Sequence, residues 1–269
     1  MNKLGIAEIQ NIELKILEYV DSICSKNALR YGLTSGSVLG AIRHGGFIPW
    51  DDDVDIVMPR PDYERLISIM GKNNGRYHLS SPYTEPDYIY EYSKMMDMNT
   101  VLIEDPNGKK IQTHIYIDIF PVDGVPDSRK ARRKQYIKVN RIKKIYAVKN
   151  RLPYKIRETQ GRKKVLYSLG NVLLKPFSKS KIMRSLDNVC KKYDFDSSNY
   201  AAVITGQGEK EVLKTSEYQL DGIVQFEGKK FHTYKNPEKY LRQFFGNYMQ
   251  LPPENERHGH DSIAYLREK

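Results

Sequence analysis

The sequence predicts an α+β fold: a mixed sheet flanked by helices, with a basic helical insertion dividing the sheet-forming parts of the chain. Three observations predict it. An amphipathic helical stretch opens the chain, with Ile9, Ile12, Ile16, Val20 and Ile23 on one face. Short apolar runs bounded by Pro, Gly and Asn follow, as strands do. Residues 129–192 then hold 22 of the 44 Lys and Arg against two acids, Glu158 and Asp187, and their pattern reads as successive helices. The expected division is a core from 1 to 128, the insertion from 129 to 195, and a part from 196 to 269 that completes the core.

In chain order, residues 6–26 form the first helix, whose apolar face covers the sheet. Leu33 to Ser37 reads as a short strand ending in a Gly-Ser turn, and Ser37 to Arg43 as a helix whose first N–H groups suit a phosphate. Asp53 to Met58 alternates acid and apolar before staying apolar, as a strand entering a core does. Pro61 opens the next helix, which runs to about Gly71. Strands follow at 76–80, 88–96, 100–104 and 115–120, the last closed by Pro121 and a turn at Val122-Asp123-Gly124. Three basic helices span 129–149, 162–175 and 181–193. Strands at 201–205 and 223–226, a hairpin to Phe231, and a helix opened by Pro237 finish the pattern.

The chemistry concentrates in Thr34 to Pro59, with Asp51, Asp52, Asp53 and Asp55 beside Gly36, Ser37 and Trp50. On a strand Asp53 and Asp55 share a face, roughly 7 Å apart at Cα. Such carboxylates repel unless a cation neutralises them or one is protonated. Hard oxygen donors without His or Cys suit Mg²⁺ or Mn²⁺. Asp51, Asp53 and Asp55 also match the first three ligands of a calcium loop. Ile56 and Asp62, however, stand where that loop needs Gly and Glu. A solvated acidic turn would leave unexplained why the acids run into Ile56-Val57-Met58. Asp118 is a single acid inside an apolar strand and requires a partner. Lys94, among Tyr88, Tyr90 and Tyr92, is either an edge-strand lysine or a phosphate ligand.

The run GSVLGAIRHGGFIPWDDDVDI resembles the signature of the LicD family of phosphocholine transferases, which includes relatives of fukutin and lies in the nucleotidyltransferase superfamily. YEYSKMMDMNT, the Asp118 strand and the tail FFGNYMQLPPENERHGHD support the resemblance. It implies a nucleotidyltransferase-like catalytic core in which Asp53, Asp55 and Asp118 hold Mg²⁺ or Mn²⁺, and Asp52 or Asp118 serves as base. It implies donor binding by Gly36, Ser37, Arg43, His44 and Lys94, and by Arg257, His258 and His260 of the tail. A polar tail with stray histidines is the plainer account of His260. Trp50 or Tyr116 would face a quaternary ammonium, or else belong to the core. The reaction implied is transfer of phosphocholine from CDP-choline to a hydroxyl of a surface glycan or its lipid-linked precursor, of teichoic acid or lipopolysaccharide type. CDP-ribitol, CDP-glycerol or a nucleoside triphosphate are the alternative donors, and an inactive basic binding module is the nonenzymatic alternative.

Composition bounds the partners. A net charge of +11 and a pI near 9.3 favour anionic ones. No nucleic-acid motif occurs, so none is expected as a partner. The stretch VLYSLGNVLLKPF, bracketed by lysines, suits an anionic bilayer surface or an ordinary packed subdomain. The acid-bearing N-terminus is no signal peptide, no apolar run has the length of a membrane span, and two cysteines make no disulfide framework. The expected location is the cytoplasm, with a peripheral contact on the inner face of the plasma membrane.

Overall fold

The computed structural model describes residues 2–71, 75–85, 88–104, 111–150, 161–259 and 262–267, with the side chains of Lys163, Leu166 and Asn171 excepted. Its strands are β1 (Gly32–Leu33), β2 (Asp55–Pro59), β3 (Tyr77–Ser80), β4 (Ser93–Glu104), β5 (Ile111–Val125), β6 (Tyr200–Ala202), β7 (Leu213–Lys214), β8 (Gly222–Phe226), β9 (Lys229–Thr233) and β10 (Ile263–Leu266). They join in one mixed sheet, ordered β10-β4-β5-β2-β1-β9-β8, with β3 on β4 and β6 and β7 extending β5. β2 runs parallel to β5 and β1 to β9, and the other pairings are antiparallel.

Helix α1 (Ile6–Asn27) forms where the apolar periodicity predicts it and buries Ile9, Ile12, Ile16, Leu17, Val20 and Cys24. Glu13 lies on the same buried stripe. Helix α2 (Ser35–His44) begins two residues before the predicted start, with Ser35 in the left-handed region at φ 49°. Its Ser37 hydroxyl accepts the Asp55 N–H at 2.8 Å, which ties the helix to the mouth of β2. Helix α3 (Arg60–Met70) follows β2 directly. Gly32 permits the close approach of β1 to β9, since a Cβ there would lie 2.9 Å from Thr233 Cα.

Two expectations about strands are corrected. Residues 88–96 and 100–104 are not two strands. β4 runs unbroken through Asp97 and Asn99, and the apparent turn is a register shift against β5. Its cause is local: Thr100 donates to the Asp97 carbonyl, and the fully buried Asp97 carboxylate takes a forked ion pair from Arg76. Likewise β5 does not end at Pro121. β4 pairs with β5 only as far as Ile119, and β6 pairs with it from Asp123. The missing donor of Pro121 therefore falls in the gap between those two neighbours. Asp123 is consequently a strand residue rather than a turn residue, buried and paired with Arg60 at 2.6 Å.

The basic helices are α4 (Arg129–Asn150), α5 (Gly161–Leu173) and α6 (Lys179–Cys190). α4 and α6 make a second small core, in which Val139, Met183, Leu186 and Cys190 pack with Val125, Ala202 and Ile204. Arg60 fastens it to the sheet, because its guanidinium also reaches Asp187 at 3.1 Å. Helix α7 (Pro237–Phe245), capped by Asn236, places Tyr240 beside Thr34. Cys24 and Cys190 are both buried and unpaired with each other, as expected. Among the described residues, no helix is long and apolar enough to cross a membrane.

Candidate active site

The register of three adjacent strands builds the centre of the site. Asp55 of β2 lies opposite Asp118 of β5, and Asp118 lies opposite Lys94 of β4. Directly opposed residues share a face of a sheet, so Asp55, Asp118 and Lys94 form a row across it. Asp53 precedes β2 rather than lying within it. Val54 between the two acids is fully buried and its carbonyl accepts the Asp118 N–H, so the sheet pairing already starts there. Asp53 and Asp55 stay partly exposed on either side of it, as strand alternation requires.

Lys94 is no edge lysine. It is 2% exposed, with its ammonium 3.0 Å from Asp118 Oδ1 and 3.1 Å from the centroid of the Tyr116 ring. Tyr90 and Tyr92 also stand over it, at 4.4 and 5.6 Å. Tyr116 in turn donates its hydroxyl proton to Glu104. These groups line a cavity of about 250 Å³, together with Asp52, Asp53, Glu13 from α1 and Ser262 from the tail.

The electrostatics are those of crowded acids. Burial, then Asp53 and Asp118, raise the Asp55 pKa well above the carboxylate range. Burial also raises that of Asp118, against the opposing pull of Lys94. Glu13 is pushed up by burial and by Asp53, Asp52, Asp51 and Asp118. Its Oε2 makes no hydrogen bond, and neither does Asp118 Oδ1 beyond its ion-pair contact. Buried oxygens left in that condition match a hard divalent cation in chemistry. Their present placement is looser: among the described residues no three His, Cys, Asp or Glu side chains stand as a set that could hold a metal ion.

Among the described residues, the other expected ones do not line the cavity. Gly36 lies against Asp51, where a Cβ would be 3.1 Å from the carboxylate. Arg43 donates to the carbonyls of Tyr248 and Gln250, and burial lowers its pKa. His44 is exposed, stands edge-on to Trp50 at 6.2 Å, and has its pKa lowered by partial burial and by Arg43. Arg257 lies over the Trp50 ring at 5.4 Å. His258 is exposed, and His260 lies outside the described residues. Both aromatic faces expected to meet a quaternary ammonium thus already carry one of the protein's own cations. The tail seals this rim. Ser262 donates to Asp52 at 2.9 Å, and a Cβ on Gly259 would lie 2.5 Å from the Trp50 carbonyl and 2.9 Å from Asp52.

Glu13, Glu104, Tyr90, Tyr92 and Ser262 are the polar and aromatic lining residues that sequence reasoning missed. Glu13 had a readable signal: it is an acid at i+4 from Ile9 and i−3 from Ile16, inside the apolar stripe.

Two acids, Asp55 and Asp118, thus face each other on a parallel strand pair next to a helix that opens with Ser-Gly-Ser. Comparison with known proteins carries this further. The family model described as LicD/FKTN/FKRP, nucleotidyltransferase domain, matches residues 28–163. The lipopolysaccharide cholinephosphotransferase LicD of Haemophilus influenzae is 30% identical over 265 residues, covering 97% of each chain. Human ribitol 5-phosphate transferase FKRP is 31% identical over 103 residues, which is 38% of this chain and 19% of that one. An uncharacterized protein of Rickettsia prowazekii is 38% identical over 108 residues, 40% of this chain and 39% of its own. The chain belongs to the LicD family and is a phosphotransferase.

Proposed function

We propose that the protein transfers phosphocholine from CDP-choline to a hydroxyl of a lipopolysaccharide-type glycan, or of its lipid-linked precursor, and releases CMP. The observation that carries this reading is the similarity to the Haemophilus influenzae cholinephosphotransferase along 97% of both chains. The ribitol 5-phosphate transferase matches only 38% of this chain. Teichoic acid is the alternative acceptor class.

In this reaction the acceptor oxygen attacks the phosphorus that bears choline. The bond from that phosphorus to the bridging oxygen breaks, and CMP leaves with the electron pair. Lys94 supplies a fixed positive charge beside Asp118, at the wall of the cavity where the donor phosphates would lie. The acceptor proton passes to Asp52 or Asp118, both of which line that cavity. Tyr90, Tyr92 and Tyr116 give the same wall its aromatic faces. Arg43 and Arg257 at the rim add positive charge for the nucleotide. Asp53, Asp55 and Asp118 would hold Mg²⁺ or Mn²⁺, which would offset their mutual repulsion and the donor's diphosphate charge.

The test is a donor screen with the purified protein and a lipopolysaccharide acceptor, following CMP release from CDP-choline, CDP-ribitol and CDP-glycerol with Mg²⁺ or with chelator. CMP should appear from CDP-choline and disappear on chelation. Faster turnover of CDP-ribitol would overturn the donor assignment, and undiminished turnover under chelation would remove the metal.

A further inference from the structure

Helix α5 turns an apolar face to solvent. Val165 is 58% exposed, Leu169 57%, Val172 69%, Leu173 71% and Phe177 52%. Their spacing, with Val172 and Leu173 at i+7 and i+8 from Val165, puts the helical members on one side. The other side is already engaged with α4. A Cβ on Gly170 would lie 2.7 Å from Val148 Cγ1, and Lys149 donates to the Leu174 carbonyl at 2.9 Å. The exposed face is therefore not the helix's own docking side left open. Scattered exposed apolar residues are ordinary, but five large ones within thirteen positions make a patch.

Charge selects the occupant. Arg162, Lys164, Lys175 and Lys181 are exposed around the patch. Asp187, the acid of this region among the described residues, is engaged by Arg60 and Lys191. A second copy of the chain would set these cations against their own kind. A bilayer offers anionic headgroups above an apolar layer, which is the order in which the helix presents its cations and its apolar stripe. We propose that α5 and the turn after it form a docking surface for an anionic membrane, with the helix lying in the interface. The surface stands independently of the donor assignment.

The experiment is sedimentation of the full chain with phosphatidylcholine vesicles, with and without phosphatidylglycerol, at low and high salt. Two variants are compared: Leu169→Asp/Leu173→Asp, and Lys164→Gln/Lys175→Gln. The unchanged protein should pellet with the anionic vesicles at low salt and detach as salt rises. The leucine variant should bind at least about tenfold more weakly, since two side chains would no longer enter the apolar layer. The lysine variant should lose roughly fivefold per cation removed. Both variants should keep the far-UV circular dichroism of the unchanged protein and its donor turnover in solution, because all four residues are exposed. Equal binding to neutral and anionic vesicles, or undiminished binding of the leucine variant, would overturn the proposal. So would a dimer in solution that the leucine variant dissolves, which would assign the face to a second copy.

Discussion

Replacing Lys94 by Met removes the cation that faces Asp118 while keeping most of the side chain's volume. Lys94 is 2% exposed, and its ammonium lies 3.0 Å from Asp118 Oδ1 and sits on the Tyr116 ring. Removing one partner of a buried ion pair costs about 3–5 kcal/mol, because the other charge is left without compensation. The lost contacts with aromatic rings, at about 0.5–2 kcal/mol each, fall partly within that figure. Asp118 can limit the loss by taking up a proton, since burial already holds its pKa above the ordinary value. Without Lys94 that pKa rises further. A carboxyl raised in the folded state contributes stability below its unfolded pKa and loses it as pH rises through the folded one. The deficit of Lys94→Met should therefore be small near about pH 4 and grow as pH rises above the ordinary carboxylate range. Urea unfolding as a function of pH measures it, and in thermal melts each kcal/mol should appear as about 2–4 °C. Lys94→Met/Asp118→Leu should recover much of the loss, because both polar partners are then gone. A Lys94→Met deficit under about 1 kcal/mol at high pH, or a double variant no better than the sum of the singles, would refute the pairing argument.

Three further outcomes follow from the same geometry. Asp55→Asn should abolish transfer yet raise the melting temperature at alkaline pH, with no gain in acid, because its carboxyl is raised by burial, Asp53 and Asp118; retained activity would remove Asp55 from the reacting set. Glu211 is 6% exposed and pushed up to about 7, so its ionised form opposes folding above that pH. Glu211→Gln, which can still accept the Gln207 N–H, should stabilise by about 1–3 kcal/mol near pH 8 and by nothing below about pH 4, as read by denaturant unfolding. Gly259→Ala should lower transfer at least about tenfold with little change in unfolding, because its Cβ would press on the Trp50 carbonyl and Asp52; unchanged activity would make the tail a bystander.

What the sequence disclosed follows the range of the interactions involved. The helices 6–27, 60–70, 129–150 and 237–245 were legible because periodicity and caps are local. So was the strand carrying Asp118, where the anomaly of a lone acid sits within six residues. Asp123 was misread because Pro121 and Gly124 look like turn punctuation. The residue that makes Asp123 a buried strand acid is Arg60, 63 positions earlier. Lys94 was ambiguous for a similar reason, since nothing near it in sequence reveals whether β4 is an edge or an inner strand. β10 was missed because a four-residue strand acquires its identity only from its pairing with β4.

The tail has a consequence for the timing of biosynthesis. Ser262 meets Asp52 across 210 residues of chain, and β10 finds β4 only after every other wall of the cavity has been made. At about 5–20 residues per second, a nascent chain carries its acidic loop for about 10–40 s before Ser262 is even added. Throughout that interval α1, the aspartates and Lys94 can assemble, yet the side facing Asp52 stays open to water. An unfinished polypeptide on the ribosome therefore lacks the wall that Gly259 and Ser262 supply beside Asp52, and chains that stall before Ser262 should be inert rather than wasteful.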